Sequence, residues 1–419
     1  MSGVCQRDSS IDSFFERIFI MNKVPQSELL SRMKRFTAMM DTTNENWELC
    51  MVVGGVNMFY LTGTMCDGVL IIRRGGDVTL WVRRSFERAK LESELDDIRP
   101  MRSFRDIAGT FDSIPGSLPD TLYIDTANAT LEWFGLLKKY VPFQNVLPID
   151  SVILNTRAAK SEYELEFIKK AGAETDRLYR QALPTLLRDG ISEVELGAEL
   201  FGIFLIEGFH GVSRFSMRNV DSVLGHIAFG DSTLYPSAFN GASGTDGLCP
   251  AVPVLGNRNR FLRKGDLIYI DLGVGIDGYH IDKTTVLSYR QPQPEYVVAA
   301  HEHCLELERL AVSMLKPGAV PSDIYEAVTA AVNDNYKDIF MGAKGRTVPF
   351  IGHGVGLHVD EMPVIAKGFT TPLEENMTIA IEPKIGLDSI GMVGSENTYL
   401  ITSNGAISLT GIPRKLEVV

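Results

Sequence analysis

The sequence predicts two α/β (α+β) domains in series, on three observations. Its 419 residues exceed what one hydrophobic core ordinarily organises. Strand-like apolar runs alternate with helical stretches and turn signals along the chain. The second part also repeats itself: helix, helix, then an apolar strand that ends on an acid, twice over.

Residues 1–155 form the first expected domain. "ELCMVVGG" and "GVLIIRR" read as strands, "LLSRMKRFTAMM" as a helix, and "RRGGD" and "SIPGSLPD" as turns. No paired His, Cys or carboxylate motif occurs in it, so its expected role is to shape or oligomerise the protein. The boundary falls near "LNTRAAKSEYELEFIKKA". There Ser161 and Glu164 have the spacing of a capping box that opens a helix, with Leu165, Ile168 and Ala171 on one face. Ser192 and Glu195 repeat the device within 156–419, the second expected domain.

The repeat lies in that second domain. "LLRDGISE" precedes the helix at 192 as "MLKPGAVPSD" precedes a helix starting near Ser322. "LRKGDLIYID" (262–271) aligns without gaps on "LEENMTIAIE" (373–382), so Asp271 falls on Glu382.

Composition narrows the function classes. With 41 basic against 53 acidic residues the net charge is −12, and no basic stripe occurs, which argues against nucleic acid and anionic membranes as partners. No apolar run approaches the roughly 20 residues needed to span a bilayer, and "MSGVCQRDSSIDSFFERIF" lacks the apolar stretch of a signal peptide. The cysteines Cys5, Cys50, Cys66, Cys249 and Cys304 are scattered and form no CxxC pair, which suits reduced thiols. The expected compartment is the cytoplasm.

The chemistry concentrates in four acids and one histidine. Asp271 and Asp282 flank "LGVGIDGYHI". A reversal around Gly275–Gly278 would set them directly opposite, with Cβ atoms roughly 5 Å apart. Glu382 and Glu396 bracket "PKIGLDSIGMVGS", whose glycines allow a second reversal. Taken singly, such acids are commonly just solvated strand ends, and a histidine between glycines, as His353 is in "GHGVGLHVDEMP", also suits a plain turn. However, "LIYID" and "TIAIE" are apolar up to the acid, which predicts buried carboxylates. Four of these together cannot all stay ionised without cations. Two divalent ions would balance them, and oxygen donors with one imidazole suit Mn²⁺, Co²⁺, Fe²⁺ or Zn²⁺. Such a pair could hold a water, acidify it and polarise a carbonyl. His353 is the natural fifth ligand.

Together, "DLGVGIDGYHID", "GHGVGLHVDEMP", "IEPKIG" and "GMVGSENTYLIT" resemble the pita-bread metallopeptidases, the group of aminopeptidase P, prolidase and creatinase. "NMFYLTG" (57–63) likewise resembles their creatinase-type N-terminal domain. The resemblance implies a pita-bread second domain with a pseudo-twofold, and the metal ligands Asp271, Asp282, His353, Glu382 and Glu396. Asp282 and Glu396 would bridge, with Asp271 on one ion, and His353 with Glu382 on the other. It also implies Glu382 as the base acting on a water held by the ions, and a homodimer.

The chain departs from the family at three usual histidines. Val254 or Ala251 stands at the first, Pro349 at the second and Asp360 at the third. His358 and His280 are the nearby candidates to compensate, while His210, His226, His301 and His303 are expected on ordinary helix or loop surfaces. Asp360 could act as a general base or bind a cationic substrate group. The leading expectation is a metal-dependent hydrolase of the Xaa-Pro peptidase type with a small peptide or small-molecule substrate. The alternatives are a hydrolase or lyase acting on a small non-peptide metabolite, cationic ones included, and a non-enzymatic binding relative.

Overall fold

In the computed structural model of the chain, which describes residues 23–112, 118–217, 220–343 and 345–419, the polypeptide divides between Thr156 and Arg157 into two units. Both mix helices and sheets, as the α/β expectation requires. Cys5, the opening residues and most of the "SIPGSLPD" turn lie outside the described residues.

In the first unit the apolar runs become strands because their alternate side chains can be buried on both faces of a helix-covered sheet. "ELCMVVGG" supplies β1 (Leu49–Val52) and "GVLIIRR" supplies β2 (Gly68–Arg73). With β3 (Val78–Val82), β4 (Ile98–Pro100), β5 (Thr121–Ile124) and β6 (Asn145–Pro148) they form one sheet in the order β4-β3-β2-β1-β5-β6. "LLSRMKRFTAMM" lies within the helix Gln26–Thr43. Buried Asp125, just past β5, accepts hydrogen bonds from the Val53 and Gly54 amides at 2.9 and 2.8 Å and so ties the end of β1 to that of β5.

The second unit opens with the helices Glu162–Gln181 and Glu193–Ile206. Ser161 and Ser192 cap them, each in a complete capping box with Glu164 or Glu195. Leu165, Ile168 and Ala171 are buried along one face of the first. Two short strands, β7 (Ser213–Arg214) and β8 (Asp221–Ser222), pair as a ribbon. Then β9 (Gly225–Phe229), β10 (Leu267–Ile276) and β11 (Tyr279–Ser288) pair antiparallel with β10 in the middle.

The second half repeats this plan. The helix Glu295–Met314 is followed by Pro321–Ala331, which starts at Pro321, one residue before Ser322, because proline suits a first helical turn that needs no amide donor. After the ribbon β12 (Gly342–Ala343) and β13 (Arg346–Thr347) come β14 (Phe350–Gly354), β15 (Glu361–Ala366) and β16 (Thr378–Ile381). Beyond them lie β17 (Lys384–Leu387), β18 (Gly391–Gly394), β19 (Asn397–Thr402), β20 (Gly405–Ser408) and β21 (Glu417–Val418). The sheets run β21-β11-β10-β9 and β15-β14-β16-β19-β20, with β17 and β18 as a separate hairpin. In the gapless alignment of 262–271 on 373–382, β10 and β16 begin at the same column, Leu267 on Thr378. Each is the middle strand of an antiparallel trio, so the duplication lies in the topology as well as in the sequence.

One register expectation needs correction. Asp271 pairs with Thr284, and Asp282 with Gly273, so the two aspartates are diagonal rather than directly opposed. The chain reverses on Asp277 and Gly278, at φ 48° and 96°, a two-residue turn with both residues left-handed. That centre lies one residue later than the glycine spacing suggested, which shifts the pairing by two. Parity is preserved, so the aspartates still share a face. Among the described residues, no helix is long and apolar enough to cross a membrane.

The capping boxes give a direct test. Ser161→Ala or Ser192→Ala removes the oxygen that accepts the N3 amide, and each should lower stability by about 0.5–2 kcal/mol in denaturant titrations. A variant as stable as the parent would show that the cap contributes nothing to that helix.

Candidate metal centre

Five segments deliver the charged side chains. Asp271 sits at mid-strand in β10, Asp282 in β11 and His353 in β14, while Glu382 follows β16 and Glu396 precedes β19. Glycines at 352 and 354 let β14 lie close to its neighbours. A Cβ at Gly352 would stand 2.3 Å from the Ala380 carbonyl oxygen, and one at Gly354 2.2 Å from that of Met362. A larger residue on either side would push the His353 strand away from the acids. All five predicted ligand residues therefore converge from both halves of the repeat.

The convergence has two ends. At one end the His353 Nε2 atom lies 3.5 Å from Glu382 Oε1, 3.8 Å from Glu396 Oε1 and 3.9 Å from Asp282 Oδ2. Its Nδ1 lies 3.1 Å from the Gly354 carbonyl, a contact in which Nδ1–H donates, and this orients the ring so that Nε2 faces the three acids. Glu396 Oε1 is buried and has no hydrogen-bond partner.

At the other end stands a residue the sequence reading passed over, Lys384, the first of β17. Its Nζ donates to Glu382 Oε2 at 2.8 Å, Glu396 Oε2 at 2.9 Å and Asp271 Oδ2 at 3.2 Å, and its side chain is 2% exposed. Two hydroxyls complete the ring. Tyr269 donates to Asp271 Oδ2 at 3.1 Å and Thr284 to Glu396 Oε2 at 2.8 Å. Behind Glu396, buried Glu308 accepts from Ser395 Oγ, and from Asn397 Nδ2 and Tyr399 OH at 2.8 Å each, which anchors the strand that follows Glu396.

The electrostatics follow from this crowding. Burial and the neighbouring Glu396 and Asp271 push the Asp282 carboxyl well above its usual range. Burial and Glu382 raise Glu396 to about 7, against the opposing pull of Lys384. For Glu382, burial is outweighed by Lys384 and His353, which bring it to about 2. Burial would lower His353, but hydrogen bonding to Glu382 and the surrounding carboxylates raise it to about 10. Protons and cations compete for the same oxygens.

The donor set fits a divalent ion at the His353 end. Asp282, His353 and Glu396 each offer one atom, these atoms lie within 4.8 Å of one another, and Glu382 Oε1 faces the same point. Separations of 3.5–3.9 Å around His353 Nε2 are those of ligands sharing an ion at ~2.0–2.2 Å.

The acids open into a cavity of about 220 Å³ with a largely apolar wall that includes Phe215, Phe239, Phe350 and Val364. Asp360 also lines it, with the Ser216 amide donating at 2.5 Å and the Ser216 hydroxyl at 2.8 Å. Burial raises its pKa and the two Ser216 bonds hold it down. His226 lines the cavity as well, which corrects the expectation of an ordinary surface position. It is buried on β9, paired with Asp271 across the sheet, and its Nδ1 is buried without a hydrogen-bond partner. No motif in the sequence marks it.

The two compensating histidines are placed elsewhere. His280 shares the face of Asp282 but is buried against the Gly356 and Val212 carbonyls and His210, so its nitrogens are already engaged. His358 Nδ1 takes a hydrogen bond from Arg157 at 3.1 Å, and burial with that charge lowers its pKa to about 3. Neither is among the described residues lining the cavity. His210 pairs with His280, and His301 is buried in the helix Glu295–Met314. His301 therefore departs from the surface expectation, whereas His210 and His303 are partly exposed.

Next to Asp360, buried Glu361 pairs with Arg157 and Lys160 and accepts from the His358 amide at 2.9 Å. The loop that presents Asp360 is thus held by a buried ion cluster.

Comparison with known proteins identifies a family. Residues 166–403 match the model of metallopeptidase family M24, and residues 32–159 that of the creatinase/prolidase N-terminal domain. The Xaa-Pro dipeptidase of Pyrococcus furiosus is 29% identical over 86% of this chain and 92% of its own length. That of Pyrococcus horikoshii is 27% identical over 92% of this chain and 98% of its own. The crystal structure of the Pyrococcus horikoshii prolidase superposes with a TM-score of 0.75 at 25% identity, covering 92% of this chain and 99% of that one.

The Glu361 cluster makes a pH-dependent prediction. Burial alone would raise the Glu361 pKa, but Arg157 and Lys160 bring it down to about 2. A depressed folded-state value stabilises above the unfolded value of roughly 4.3 and is lost as pH falls toward the folded one. Glu361→Gln should therefore destabilise by about 3–5 kcal/mol at pH 7, because it strands buried cations. The gap should narrow as pH falls from about 4.3 toward 2. Denaturant midpoints at several pH values check this, and a gap that ignores pH would contradict it.

Proposed function

The chain belongs to metallopeptidase family M24 and is a peptidase-type hydrolase, and from that premise we propose that it cleaves the amide bond of a small Xaa-Pro-type substrate. The observation that carries the reading is the meeting of Asp282, His353, Glu382 and Glu396 at one buried point, with Glu396 Oε1 unpartnered, on the floor of an apolar cavity. The family implies divalent metal, and Mn²⁺, Co²⁺, Fe²⁺ or Zn²⁺ all accept oxygen donors with one imidazole. When bound, such an ion supplies Lewis acidity toward a water and an amide carbonyl.

In this reading the protein's own groups do the rest. Glu382, kept ionised by Lys384 and His353, takes the proton of the attacking water and returns it to the leaving nitrogen. His226 offers the cavity an imidazole with a free Nδ1, near the acids where the three family histidines are missing. The apolar wall suits an uncharged ring such as that of proline and keeps bulk water from the reacting atoms.

Asp360 gives the substrate its unusual side. A carboxylate that two Ser216 donors hold at the cavity wall suits a substrate cation, such as a free amino group. The same observation supports the second reading, a small cationic amide or a lyase substrate with Asp360 as base.

Two measurements test these roles. Asp282→Asn should lower kcat/KM on Xaa-Pro dipeptides by more than about 100-fold while the fold is retained, because it removes a ligand. Full activity in that variant would refute the metal reading. Asp360→His should abolish the native reaction by replacing an anion with an imidazole. Xaa-Pro turnover by the parent that is unchanged in Asp360→Ala would make Asp360 a bystander.

A further inference from the structure

We propose, on the metal-dependent reading above, that the Lys384 ammonium takes the place of one of the two divalent ions for which the four carboxylates call. The centre then holds a single ion, at its His353 end.

A lysine ammonium has three N–H donors and no acceptor. Lys384 directs them at one oxygen each of Asp271, Glu382 and Glu396, at 2.8–3.2 Å, so every donor is used. Those of Asp271 and Glu396 are oxygens a second ion would need. An ion bound to them at ~2.1 Å would lie against a like charge in a buried site, where such repulsion is screened little. The lysine cannot readily move aside. Its side chain is 2% exposed, and its backbone is pinned in β17 by pairing with Gly394.

The oxygens that Lys384 leaves free divide in the same way. Glu382 and Glu396 each give one oxygen to Lys384 and turn the other toward His353, as a carboxylate bridging two cations does. Asp282 joins them at the His353 end, and Asp271 stays with the lysine. Charge alone tolerates either filling. Four carboxylates and one ammonium are left one unit negative by one divalent ion and one unit positive by two. The occupied oxygens decide between them. Lys384 is accordingly a positioning residue that fixes the bridging glutamates whether or not metal is present.

The test is the metal content of the full-length chain, stripped with chelator, equilibrated with excess Mn²⁺ and dialysed. Wild type should hold one Mn²⁺ per chain with the spin-resonance spectrum of an isolated ion. Lys384→Ala, which empties the Asp271 end, should hold two with an exchange-coupled spectrum. Two ions per chain or a coupled spectrum in wild type would overturn the inference, as would a folded Lys384→Ala protein that still binds one. A wild type that binds no Mn²⁺ would instead overturn the metal-dependent reading on which the inference rests. If the alanine variant does not fold, the wild-type content and spectrum decide alone.

Discussion

Four carboxylates brought together in a protein interior repel one another and lose their hydration, and no hydrophobic packing offsets that without positive charge. The arrangement of Asp271, Asp282, Glu382 and Glu396 is a response to this constraint. Lys384 sets one ammonium against three of them from one side, His353 faces three from the other, and the Tyr269 and Thr284 hydroxyls donate to two of the oxygens. The unpartnered Glu396 oxygen marks where compensation is incomplete in the protein alone.

The duplicated topology is what makes such a cluster possible to build. Each half supplies a strand, β10 or β16, that is apolar until it reaches its acid, so the burial of Ile268 and Ile270, or of Ile379 and Ile381, holds the carboxylate at the sheet's edge with the cavity. The halves are not equivalent in function. Among the described residues, the second contributes His353 and Lys384 to the cluster, and this asymmetry divides the oxygens into an ammonium end and an imidazole end.

Much of this was legible in the sequence, because it depends on local pattern. The Ser161 and Ser192 capping boxes, the alignment of Asp271 on Glu382, and the convergence of four acids with His353 all follow from spacing and periodicity. The hairpin register was missed because Asp277, a non-glycine residue, takes one of the two left-handed turn positions, and glycine spacing does not reveal that. His280 was read on the correct face. However, residues two apart on a strand are ~7 Å apart, and parity does not show that the cavity ends before His280 is reached. Lys384 shares strand parity with Glu382, but a lysine after a Glu-Pro step looks like any solvated residue until the other strand brings Glu396 and Asp271 to it. His226 carries no signal at all, since its role comes from pairing with a strand more than forty residues away.

The central claim is that a protein cation and a single metal ion share the carboxylates. Anomalous diffraction from crystals soaked in Mn²⁺ tests it most directly. The account predicts one anomalous peak per chain, within bonding distance of His353 Nε2, with the Lys384 ammonium still among Asp271, Glu382 and Glu396. A second peak beside Asp271, with the lysine displaced, would contradict it.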